Sequence, residues 1–219
     1  MKDEQFDFVF LGQSVLKYQV PLNIFESIIN IYTSNFNVLP KANRQLVGKI
    51  QNEHSIYFDG EPNNKMQPHN LCSLEVLEWF KSKFEHYLKW NKIRNYRCHL
   101  NSIWINKMTD NEYNPVHIHI GSLQTGLSSV MVLKLPKTTG VEYSAQDKPL
   151  NGALQILGSA SGQFAKVDYS PQLKERDFYI FPYDMRHCVY PFNSSNDTRI
   201  TLAANCDVNY NSIENRGVY

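Results

Sequence analysis

FYIFPYDMRHCVYPF at residues 178–192, followed by TRITLAANCDV at 198–208, decides how this chain is read. The first run is aromatic and β-branched up to Phe181-Pro182, the composition of a buried strand that a proline closes. His187 stands five positions past Pro182, and Arg199 lies twelve positions beyond His187, inside a second strand-like run. Upstream, NPVHIHI at 114–120 holds His117 and His119. On an extended segment, side chains at i and i+2 point the same way, so both imidazoles can reach one cation. A third imidazole from a distant strand, His187, would close a metal site and leave coordination positions open. A His-x-His pair alone is a weak signal, and His54, His69, His86 and His99 are read as surface or packing residues. The surroundings of His117, His119 and His187 raise the odds: a strand follows the pair, another precedes His187, and an arginine follows it.

Outward from these segments, the chain changes character near residue 95. After it the hydrophobic period is two. RCHLNSIWINKM, LSSVMVLKLP, NGALQILG, DFYIFP and TRITLAANCDV are short β-rich runs separated by Gly, Pro, Asn and Asp. Five to eight such strands predict a sandwich or barrel, not a parallel α/β sheet. Before residue 95, helical signals dominate. Pro21 opens LNIFESIINIYTSNF, with Ile24, Phe25, Ile28, Ile29 and Tyr32 at helical spacing. KANRQLVGKI at 41–50 reads as a second helix, and the polar stretch 51–70, with Gly60, Pro62 and Pro68, reads as a loop. Ser73 caps a further helix through Leu74, Leu77, Phe80, Phe84, Tyr87 and Leu88, whose aromatic stripe is core. One domain over 1–219 is expected: 1–95 as mainly helical support and 96–210 as the β core.

Composition bounds the function. The 219 residues carry 22 Lys+Arg against 21 Asp+Glu, a net charge of +1, which argues against general nucleic-acid binding. No apolar run approaches the roughly 20 residues of a membrane-spanning helix. The acidic start MKDEQFDFVF lacks a secretory h-region, so a cytoplasmic location is expected. Cys72, Cys98, Cys188 and Cys206 are scattered without a CxxC and read as ordinary thiols. The sequons at Asn193 and Asn196 are discounted for want of a signal peptide. P-loop, dinucleotide and HExxH motifs are absent, and GSASG at 158–162 puts Ala160 where a nucleophile elbow needs serine.

Over residues 98–210 the sequence resembles the Fe(II)- and 2-oxoglutarate-dependent oxygenases, in the branch near prolyl 4-hydroxylases. SIWINKM, HIHIGSLQTGLSSVMVLKLP, FYIFPYDMRHCVYPF and TRITLAANCDV carry the resemblance. It implies a double-stranded β-helix (a cupin-like jelly roll) with the N-terminal helices packed on one sheet. It implies His117, His119 and His187 as metal ligands, and Arg199, helped by Thr201, as the partner of the distal carboxylate of 2-oxoglutarate. The implied cofactors are Fe(II), 2-oxoglutarate and O2. The implied reaction is hydroxylation of an unidentified substrate, either a peptidyl side chain such as proline or a small molecule.

The sequence departs from that pattern at His119, where the superfamily usually has a carboxylate. Either His119 ligates, or a carboxylate from elsewhere completes the site, with Asp184 first and Glu112 and Glu142 behind it. The strand VMVLKL also lacks a tyrosine often found there. A cupin-type metalloenzyme without 2-oxoglutarate is the rival, with Gln124 near its usual glutamate, and it gives Arg199 no role. A non-enzymatic binding or structural protein on the same barrel is the second rival. Substrate and oligomeric state are left open.

Overall fold

A computed structural model describes residues 12–42, 48–59, 69–145, 148–160, 162–194 and 196–211. Its backbone follows from two hydrophobic periods. Where the period is near 3.6, two helices form. Helix α1 (Leu22–Asn35) starts at Pro21, whose fixed φ suits a helix entry, and buries Ile24, Ile28 and Tyr32 at four-residue spacing. Helix α2 (Leu74–Trp90) is capped by the Ser73 hydroxyl, which accepts the Val76 N–H at 3.3 Å. It buries Val76, Phe80, Phe84, Tyr87 and Leu88. Leu74, expected in that stripe, is exposed instead, because six residues before Phe80 it points about 120° away from it.

Where the period is two, strands form and the chain passes back and forth between two antiparallel sheets. Strands β4 (Tyr96–Met108), β6 (Gly126–Lys134), β9 (Asp177–Pro182) and β11 (Arg199–Tyr210) lie in one sheet. Strands β5 (Asn114–His117), β7 (Leu154–Leu157), β8 (Asp168–Tyr169) and β10 (Arg186–Val189) lie in the other. The sheet orders contain β9-β6-β11-β4 and β5-β10-β7-β8, the alternation of a jelly roll. The first sheet is widened by β1 (Leu16–Gln19) beside β9, and by β2 (Asn52–Phe58) and β3 (His69–Asn70) beyond β4.

Two of these strands correct the loop expected over 51–70. NEHSIYF forms β2 because both its faces are covered. Ser55 and Glu53 stand across from Trp104 and Asn106 of β4, while His54 packs on Phe36 at the end of α1. Polar residues on covered faces erase the alternation that marks a half-exposed strand. The helix expected over 41–50 falls largely on 43–47, outside the described residues. Its described ends are single bridges, Lys41 to His54 and Lys49 to Tyr113.

Strand alternation then sorts the core. Leu202, Ala204, Cys206 and Val208 of β11 face the helices, with Ile103, Ile105, Met131, Phe178 and Ile180 from neighbouring strands. Phe80 and Phe84 are fully buried against this face, each contributing about 1.5–3 kcal/mol of burial. The opposite side of the same sheet faces the second sheet, and there Val130, Tyr179 and Phe181 meet Leu154, Ile156 and Met185. Arg199, Thr201 and Asn205 occupy the other set of alternate positions on β11, between the sheets. Among the described residues, no helix is long and apolar enough to cross a membrane.

Candidate metal centre and anion site

The metal centre is built by strand register. His117 of β5 stands directly opposite His187 of β10 across an antiparallel pair, with ring centroids 4.2 Å apart. His119 follows two residues on, so its side chain returns to the same side. Its backbone N–H donates to the Tyr183 carbonyl at 2.9 Å, which ties the His-x-His segment to the turn before β10. The result is three imidazoles, each offering one nitrogen, all within 4.8 Å of one another. The Nε2 atoms of His119 and His187 are 3.1 Å apart. Two imidazole nitrogens at right angles on one metal, with bonds of about 2.1 Å, would be separated by about 3 Å.

The protonation states suit ligation. Burial, and then the charge on His117, lower the pKa of His187 to about 3 against the opposing bond to Met185. His119 is held well below the usual range by burial and then by its two histidine neighbours. His117 is lowered by burial, against its bond to Pro115. All three rings are therefore neutral near pH 7, as metal binding requires. Nδ1 of His187 donates to the Met185 carbonyl at 3.1 Å, and Nδ1 of His117 to the Pro115 carbonyl at 2.7 Å. Those bonds leave each Nε2 with its lone pair. The donor set fits a ferrous ion, which accepts imidazole nitrogen.

The alternative carboxylates are engaged elsewhere. Asp184 is exposed and accepts from Gln13 Nε2 at 2.7 Å. Glu112 accepts the backbone N–H groups of Gln51 and Thr109. Glu142 accepts from Val141 N–H and from the amides of Asn151 and Asn193. Among the described residues no carboxylate joins the three histidines. Gln124 lines a separate cavity with Pro182 and Tyr183.

Arg199 forms the second part of the site. It is 1% exposed, and its Nη1 donates to Thr201 Oγ1 at 3.3 Å. Its Nε and Nη2 are buried without a partner among the described residues. Burial lowers its pKa to about 10, so it stays charged at neutral pH. Asp197, which shares its strand parity, is taken by Lys134 and by the Lys137 N–H. An unpaired buried cation costs several kcal/mol, so the arrangement calls for an anion. Arg199 lines a cavity of about 710 Å³ together with Leu135, Leu150, Gln155 and Leu173. A small dicarboxylate fits these free donors.

Sequence reasoning missed the residues that hold the ligand segments. Buried Asp207 accepts the Ser122 and Leu123 N–H groups at 2.9 and 3.3 Å, and the Tyr183 hydroxyl at 3.1 Å. A Cβ at Gly121 would collide with Asp207 Oδ1, so only glycine fits there. Asn205 Nδ2 lies 3.5 Å from His119 Nδ1. Polar residues at 205 and 207 alternate with Ala204, Cys206 and Val208, and that alternation was the signal available.

Residues 102–205 match the family described as "Putative 2OG-Fe(II) oxygenase". No curated protein matches the chain. Among solved structures, the chain is similar to an oxidoreductase of the 2OG-Fe(II) oxygenase family from Burkholderia pseudomallei. That match has a TM-score of 0.56 and 14% identity, covering 87% of this chain and 84% of that one. It is similar to a prolyl-4-hydroxylase from Pseudomonas putida, with a TM-score of 0.52 and 12% identity over 90% and 92% of the two chains. It is also similar to a prolyl hydroxylase from Trichoplax adhaerens, in complex with a peptide fragment of the hypoxia inducible factor oxygen degradation domain. There the TM-score is 0.53 and the identity 11%, over 94% and 86%. At such identities the likeness is one of fold, and the jelly roll expected from the sequence is the fold these structures share. Over residues 102–205, then, the chain resembles the 2OG-Fe(II) oxygenase family, and over most of its length it shares its fold with solved structures of such enzymes.

Proposed function

We propose that the chain is a hydroxylase in which His117, His119 and His187 hold Fe(II), and Arg199 with Thr201 holds the distal carboxylate of 2-oxoglutarate. The observation that carries this reading is the buried Arg199 guanidinium, with two donor nitrogens unsatisfied, in a barrel that also gathers three neutral imidazoles. Bound together, the iron and the 2-oxoacid would supply the oxidising chemistry: 2-oxoglutarate and O2 yield succinate and CO2, and one oxygen atom goes to a substrate C–H bond. The chain's own residues do the rest. The three rings offer lone pairs without first losing protons at neutral pH. Arg199 neutralises a carboxylate through a planar fork, and Thr201 adds a hydroxyl beside it. Val130, Tyr179 and Phe181 form a buried apolar wall between the sheets.

A peptidyl side chain such as proline, or a small molecule, is the substrate class. The peptide bound to the Trichoplax hydroxylase supports the first option. Incubation of the iron-loaded chain with 2-oxoglutarate and O2 tests the reading: succinate should form, and its formation should be lost in Arg199→Ala. Iron uptake without any 2-oxoglutarate binding would favour a cupin-type enzyme instead.

A further inference from the structure

Arg199 leaves one edge of its guanidinium open. Nη1 is engaged, with Thr201 Oγ1 at 3.3 Å and Met108 Sδ at 3.7 Å. Nε and Nη2 are buried without a partner among the described residues. These two nitrogens share one edge of the planar group, so their N–H bonds form a fork that a single carboxylate can span. The fork recognises one carboxylate, whatever that carboxylate carries behind it.

The cavity decides what the rest of the ligand can be. Its volume of about 710 Å³ is walled by leucines from three separate segments: Leu135 after β6, Leu150 before β7 and Leu173 before β9. All three are half-buried. Exposed Lys148 and Gln172 also line it, so the cavity opens to solvent. None of His117, His119 and His187 lines it. The carboxylate of Asp168, another lining residue, accepts from Gln155 Nε2 at 3.0 Å. 2-Oxoglutarate, about as large as five or six waters of roughly 30 Å³ each, would fill about a quarter of this space. A second charged group set among the leucines would give up its water for apolar contact, which is unfavourable. A hydrocarbon body set there gains by leaving water.

We infer that the cavity at Arg199 is a ligand site for medium-chain alkanoates, with the carboxylate on the Nε–Nη2 fork and the chain along Leu135, Leu150 and Leu173. Such a ligand uses the same fork as 2-oxoglutarate and excludes it. The inference shares with the proposed function only the anion site at Arg199, and it needs no metal.

Calorimetric titration of sodium acetate, butanoate, hexanoate and octanoate into the metal-free full chain tests it. Affinity should rise about two- to fourfold with each added methylene, because each one moves from water to the leucine wall. Arg199→Met, which keeps the bulk and removes the fork, should weaken octanoate by tens- to thousands-fold. Leu150→Gln should weaken octanoate about tenfold and leave acetate within twofold, with melting curves checking that both variants fold. In the Fe(II)-loaded wild type, octanoate should compete with 2-oxoglutarate. Affinity that does not rise with chain length, or octanoate binding unchanged in Arg199→Met, would overturn the inference. A chain that binds 2-oxoglutarate but is indifferent to octanoate loses this site and keeps the proposed function. A chain that binds octanoate on Arg199 but never 2-oxoglutarate keeps this site and loses the proposed function.

Discussion

The Nε2 atoms of His119 and His187 approach to 3.1 Å although 68 positions separate the two residues in sequence. Two mechanisms bring them together. Register places His187 opposite His117, and the Tyr183 carbonyl holds the backbone of His119. Replacing either ring should therefore act on metal affinity before it acts on the fold. His187→Ala should remove most Fe(II) binding while the circular dichroism spectrum persists. His119→Asp should keep Fe(II), since two imidazoles and a carboxylate also hold this ion, and His119→Ala should weaken it far more. Anaerobic Fe(II) titration reads all three. If Asp and Ala at 119 behave alike and both retain iron, His119 is not a ligand.

Arg199 should matter in two opposite ways. Losing a buried charge-assisted contact costs about 2–5 kcal/mol, or roughly tens- to thousands-fold in affinity. Arg199→Ala should weaken 2-oxoglutarate by that range with Fe(II) still bound, and Arg199→Lys should retain part. Without cosubstrate the buried cation is a burden, so Arg199→Met should melt at a higher temperature than wild type. Melting curves with and without 2-oxoglutarate should cross between the two proteins, and parallel curves would count against an anion site at Arg199.

Asp207 straps the loop after His119 to the turn before His187. Asp207→Ala leaves two backbone N–H groups and the Tyr183 hydroxyl without their acceptor. At about 1–3 kcal/mol for each buried group left unsatisfied, a net loss of about 2–4 kcal/mol is expected after relaxation. For a chain of this length that is roughly 4–16 °C in Tm. Asp207→Asn, which keeps one acceptor oxygen, should recover part of it. Calorimetry of the three proteins measures the effect.

Glu53 sets a pH dependence independent of the metal. It is buried on β2, and burial raises its pKa from 4.5 to about 7. Between those values the folded chain binds more protons than the unfolded chain. Its contribution is therefore fully present below about pH 4.5 and is lost as pH rises through 7. Glu53→Gln should remove that loss, gaining up to roughly 3 kcal/mol relative to wild type at pH 8 and little at pH 4.5. A stability difference between the two that does not change with pH would contradict the raised value.

The jelly-roll strands were legible where one face meets the helices and the other the second sheet with a clear change of residue type. DFYIFP matches β9 residue for residue, and TRITLAANCDV overlaps all but the last two residues of β11. Strand β2 was illegible because Glu53, His54 and Ser55 are all buried, so burial there does not follow hydrophobicity. At the site, the histidines and Arg199 stood out by residue type, spacing and neighbouring strands, and their roles came from the family resemblance. The choice between His119 and a carboxylate could not be made that way, since it turns on where Asp184, Glu112 and Glu142 find their hydrogen bonds. Asn205 and Asp207 act through partners 86 and about 85 positions away, a relation only the closed barrel creates.

An anaerobic titration of 2-oxoglutarate into the Fe(II)-loaded chain, followed by visible absorption, tests the iron and 2-oxoglutarate sites together. A 2-oxoacid bound to ferrous iron gives a charge-transfer band that neither component has alone. The band should appear, saturate at one equivalent, and require both His187 and Arg199. Stoichiometric iron binding with no such band at saturating 2-oxoglutarate would contradict the proposed function.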